Sequence, residues 1–138
     1  MTIPDFEEVA DHASKAREFL ARGREYLAVG DLHQASEKGW GAAAHMTKAV
    51  ATAQGLEYTN HSHFSNVLNE ARRLTGNPRL LDLRSRANEL HINYYKREIH
   101  LEADAIGEDI EAIAELLALL APLTGLESGG RRGERRPR

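Results

Sequence analysis

Apolar residues recur at helical spacing along nearly the whole chain, and no run alternates with period two. A chain patterned this way buries its apolar stripes helix against helix and has no strand to build a sheet from. One helix is expected from about Pro4 to Val29, with Phe6, Val9, Ala13, Ala16, Leu20 and Leu27 on one face. Gly30-Asp31 then supplies a stop followed by an N-cap. A second helix is expected to Gln54, closed by Gly55, with Leu32, Ala35, Gly39, Ala42, Met46, Val50 and Ala53 inward. Leu56 to His63 reads as a loop, and a short third helix as Phe64 to Thr75 with Val67, Leu68, Ala71 and Leu74 buried. Asn77-Pro78 starts a fourth helix that runs to about His100. The fifth spans about Glu102 to Ala121, carries Ile106, Ile110, Ile113 and Leu117, and stops at Pro122. Short connections between five helices predict an all-α, antiparallel up-and-down bundle over residues 1–124. Residues 125–138 read as a disordered Arg-rich tail.

With 6% aromatic residues in a 41% hydrophobic chain, the core must come mainly from Leu, Ala, Ile and Val. The absence of cysteine excludes disulfides, thiol nucleophiles and thiolate metal sites. The N-terminus lacks the basic start and apolar run of a signal peptide, and Leu116 to Leu123 is too short to span a membrane. The expectation is a soluble cytoplasmic protein without membrane contact.

A net charge of −3 conceals segregation. Residues 72–97 hold seven Lys/Arg against two acids, and residues 98–126 hold seven acids and no base. So acidic a body is no general nucleic-acid binder, and pairing of the basic and acidic helices is the plainer explanation.

Chemistry concentrates in the fourth helix, where Arg84, Asn88, His91 and Tyr95 share a face. Leu80, Leu83, Ala87, Leu90 and Tyr94 form the stripe beside it and read as buried. No Walker-type phosphate loop occurs, and Gly39-Trp-Gly41 is not spaced for one. No histidine follows a Glu at the Glu-x-x-His spacing of di-iron bundles. His61-Ser-His63 reads as a solvated capping loop, Trp40 as a packing wedge, and no metal or cofactor is expected. The small residues of Gly39-Trp-Gly-Ala-Ala-Ala44 invite another backbone close, from this chain or from a second copy.

An Arg followed at four to six residues by His resembles the motif of the HEPN superfamily (higher eukaryotes and prokaryotes nucleotide-binding domains). Two pairs fit, Arg84 and Arg86 each with His91. The phrase Leu90-His91-Ile-Asn93-Tyr94-Tyr95, with Trp40-Gly-Ala-Ala-Ala-His45 upstream, is similar to the archaeal PaREP group. The HEPN resemblance implies a metal-independent endoribonuclease, often a homodimer, frequently encoded beside a nucleotidyltransferase partner. It implies proton transfer by His91 and phosphate stabilisation by Arg84 or Arg86, with Asn88 and Tyr95 in support. Helical geometry places Arg84 about 20° from His91 around the axis and Arg86 about 140° away. Yet Arg84 lies about 10 Å from His91 along the axis and leans away from it, so a two-fold composite site is expected. The alternative from the same residues is a catalytically silent bundle that dimerises and binds a partner protein or a nucleotide.

Overall fold

The computed structural model describes residues 3–126. Five α-helices form there, α1 (Phe6–Ala28), α2 (Leu32–Gln54), α3 (His61–Thr75), α4 (Arg79–Asn93) and α5 (Ala103–Leu120), with no strand among the described residues. Short 3-10 segments follow α4 at Glu98–His100 and α5 at Ala121–Thr124. None of these helices is long and apolar enough to cross a membrane. Gly125 and Leu126 still pack on the bundle; the rest of the expected tail lies outside the described residues.

The ends are set as local chemistry dictates. Asp5 Oδ1 accepts from the Glu8 amide at 3.1 Å, and Asp31 Oδ1 from that of Gln34 at 3.2 Å, each satisfying an orphan N–H. Gly30, Gly55 and Gly76 end α1, α2 and α3 in the left-handed region, at φ 82°, 72° and 69°. Asn77 Oδ1 accepts from the Arg79 amide at 2.9 Å where α4 begins.

The helix α2 is central and packs on the other four. It runs antiparallel to α1, as His12–His45 and Gly23–Ala35 neighbours show, and to α4, as Ser36–Asn93 and Gly39–Leu90 show. Side chains of α4 and α5 meet in the same antiparallel sense at Arg86–Asp109 and Arg79–Glu115. After Gly55 the chain runs back along α2, bringing Tyr58 beneath Lys48 and His61 against Trp40.

Small residues on α2 are consumed inside the chain. A Cβ on Gly39 would sit 2.8 Å from Leu90 Cδ1 and 3.3 Å from Ile110 Cγ1, and one on Gly41 2.7 Å from Phe19 Cδ2. The stripe therefore offers no face to a second copy, which removes that support for a homodimer.

Four expectations are corrected. The third helix starts at His61, three residues before Phe64, because Asn60 Oδ1 accepts from the His63 amide at 3.3 Å. The fourth ends at Asn93 and not near His100. There the Asn93 amide group donates to Ser36 Oγ at 3.3 Å, and His33 Nε2–H donates to the Lys96 carbonyl at 2.8 Å, so α2 holds the chain in a turn. That turn exposes Tyr94, expected in the core, and buries Asn93 instead. Leu74, in the last turn of α3, is likewise exposed.

Across the α1–α2 seam one of His12 and His45 donates its Nδ1–H to the other at 3.1 Å. Burial, with Lys48, His12 and Lys15 nearby, pushes His45 down from 6.5 to about 4. The unfolded chain therefore binds this proton more tightly than the native one. Stability from His45 is full above about pH 6.5 and falls as pH drops from there toward about 4. Urea midpoints between pH 4 and 7 should fall more steeply in the native sequence than in His45→Phe.

Leu90 is fully buried, so Leu90→Ala should cost about 2–5 kcal/mol in denaturant unfolding. Gly39→Ala should be tolerated better in the Leu90→Ala background than in the native one, because the new methyl fills the vacated space.

A histidine and tryptophan cleft as the candidate functional site

His91 does not stand alone on its helix face. Its ring lies 4.5 Å from that of Trp40 on α2 and 4.7 Å from that of His61 on α3, stacked on the latter at 23°. Trp40 also contacts His61 at 5.2 Å and Phe64 at 4.7 Å between ring centroids. Tyr95 meets His91 edge-on at 5.9 Å, and Tyr94 meets Tyr95 at 5.2 Å.

The fold places these rings by adjacency. Gly39 faces inward onto Leu90, so the next residue of each helix, Trp40 and His91, turns to the same edge of the core. The α3 helix begins opposite, because the return segment after Gly55 delivers its first residue, His61, beside Trp40.

Two clefts open on this cluster and share Trp40 and His91 as a wall. One, about 310 Å³, is lined also by Ala44, Lys48, Tyr58, Thr59, Asn60 and His61. The other, about 210 Å³, is lined by Glu37, Tyr94 and Tyr95 besides the shared pair. Lys48 Nζ lies 5.5 Å from the Tyr58 ring centroid, a cation over an aromatic face. Burial raises the Tyr58 hydroxyl to about 12, so it stays a neutral donor. Burial, with His61 adjacent, lowers His91 below the ordinary imidazole range and favours its neutral form near pH 7.

The expected site residues separate. Arg84 Nη1 donates to Asn69 Oδ1 on α3 at 2.7 Å and lines neither cleft. Arg86 pairs with Asp109 on α5 at 2.7 Å, on another side of α4. Asp109 is buried, which pushes its carboxyl up against the pull of Arg86. Asn88 Oδ1 is buried with no hydrogen-bond partner among the described residues, and Asn88 lines neither cleft. Of the named set, His91 and Tyr95 come together. His61, Trp40, Lys48, Tyr58 and Glu37 join them. The one sequence signal for these was the i, i+4, i+8 stripe Trp40, Ala44, Lys48, aromatic then small then basic on one face of α2. No group of three or more potential metal-ligating side chains gathers among the described residues.

The model of the archaeal PaREP1/PaREP8 family matches residues 11–117. The chain belongs to this family. The matched span of the PaREP1/PaREP8 fold contains every residue that lines the two clefts. No curated protein and no solved structure matches.

Burial lowers the His91 pKa, and the charge of the adjacent His61 lowers it further. In histidine NMR titrations, His91 of the native chain should titrate below about 6.5, and His61→Ala should move that midpoint upward.

Proposed function

We propose that this protein binds nucleotide units of single-stranded RNA in the Trp40–His61–His91 clefts. The observation that carries the reading is the cluster of half-buried Trp40 and His91 with exposed His61 beside Lys48, aromatic rings lining a cleft next to a cation. Single-stranded nucleic acid is held by that pairing, bases stacking on rings while basic groups meet phosphate. The larger cleft reaches the lower end of the volumes usual for small-ligand sites. This is the nucleotide-binding form of the bundle, reached through a different residue set from the Arg84 and Arg86 pairs.

A second reading, metal-independent cleavage of that RNA, is favoured by the stacked histidine pair. Neutral His91 takes the ribose 2′-hydroxyl proton as that oxygen attacks phosphorus. His61 gives a proton to the departing 5′-oxygen as its bond to phosphorus breaks. The products are a 2′,3′-cyclic phosphate and a free 5′-hydroxyl. Arg84 enters only if a second protomer brings its own Arg84 to this phosphate, which is the homodimer form of the reading. The nucleotidyltransferase partner rests on the HEPN resemblance alone.

Trp40 is the sole tryptophan, so its fluorescence reports the cleft without labelling. A short single-stranded oligoribonucleotide should quench it saturably. Lys48→Ala and His61→Ala should each weaken binding about 5- to 100-fold, the size of one lost stacking or phosphate contact. Absence of quenching at millimolar oligonucleotide would remove the binding reading. For cleavage, RNA should be cut in EDTA, with activity falling as pH drops through the His91 midpoint, and His91→Ala should be inactive. Equal survival of RNA with native protein and His91→Ala would leave binding alone.

A further inference from the structure

The two clefts differ in charge along one stripe of α2. Glu37 lies at one end and Lys48 at the other, about 16 Å apart along the axis, with Trp40 and Ala44 between them. Side chains lean toward the helix N-terminus, so Lys48 leans back over Ala44 toward the stack. The Glu37 cleft has three aromatic walls besides His91, and Glu37 is its one charged side chain. A phosphate placed there meets a carboxylate and is repelled; in the Lys48 cleft it meets a cation and the donors of Tyr58 and Asn60. The ring system therefore belongs in the Glu37 half and the phosphate in the Lys48 half.

An ionised carboxylate is acceptor-only, with two oxygens side by side. It matches a base edge that presents two adjacent N–H donors. Guanine does so through N1–H and its 2-amino group. The Watson–Crick edges of adenine and cytosine set a donor beside an acceptor, and uracil sets its single N–H between two carbonyls. We infer that this site, on the RNA-binding reading above, selects guanine, with Glu37 accepting from the N1 and 2-amino groups while the base packs against the aromatic lining of the same cleft. Glu37 is exposed and makes no ion pair among the described residues, so both oxygens are open to such a ligand. Tyr94 and Tyr95 are exposed beside it, at 56% and 75%, where they flank an entering base.

The test uses the full chain and the Trp40 signal, with GMP, AMP, CMP and UMP as probes. GMP should bind at least tenfold more tightly than the other three. Glu37→Gln sets a donor beside an acceptor at an exposed position, which no longer matches guanine and does match the adenine edge, so it should abolish that preference, weakening GMP and not AMP. Far-ultraviolet circular dichroism checks that the variant keeps its helices. Equal affinities for all four, unaltered by Glu37→Gln, would overturn guanine selection and leave RNA binding standing. Failure of every mononucleotide to quench, with a short oligoribonucleotide still quenching, would overturn it too, whereas failure of both probes would bring down the binding reading with it.

Discussion

The bundle depends on the close approach that Gly39 permits at the middle of α2. With no side chain there, Leu90 from α4 and Ile110 from α5 both reach the same point on the α2 backbone, and all three residues are buried. A methyl group would overlap Leu90 Cδ1, so the spacing of three helices is set at one position. Glycine in a helix interior costs about 1 kcal/mol relative to alanine. Burying a leucine and an isoleucine side chain, at about 1.5–3 kcal/mol each, outweighs it. The same contact builds the candidate site, because the residues that follow Gly39 and Leu90 are Trp40 and His91. Core packing and ring stacking are consecutive positions of the same two helices.

Charge segregation has a structural outlet. Basic residues of α1 and α4 meet acidic residues of α5 at Arg24–Glu111, Arg79–Glu115 and Arg86–Asp109. The first two pairs are well exposed and contribute little to stability, as solvent-screened pairs do. Asp109 is buried, and loss of Arg86 would leave its carboxylate without a partner, which is the costly case. Two of the three arginines of α4, Arg79 and Arg86, thus answer the acidity of α5. The cation that faces the aromatic cleft is Lys48, from an α2 sequence with no charge cluster of its own.

Histidine pairs occur twice, with different company. His12 and His45 share a proton inside a helix–helix seam, next to Phe19, and serve packing. His61 and His91 stack at the mouth of two clefts. Burial lowers both His45 and His91, so a depressed imidazole does not by itself mark a functional site here. The His61–His91 pair lines a cleft together with Lys48.

What the sequence determined by itself follows from local rules. Helical periodicity defined five helices and most of the buried face of each, including Leu80, Leu83 and Leu90 on α4 and Ile106, Ile110 and Ile113 on α5. Caps at Asp31 and Asn77 and the helix-ending glycines at 30, 55 and 76 were legible because each acts within four residues. His91 and Tyr95 were legible as polar residues at the edge of an apolar stripe. Only the tertiary structure decided where α4 stops, since Ser36 and His33, some sixty residues earlier, hold the turn after it. It also decided that the small residues of α2 serve this chain's own core, and that Arg84 answers Asn69 while His91 answers Trp40 and His61. Spacing along a helix reports which side chains share a face; which helix comes to lie against that face depends on how all the stripes are buried together.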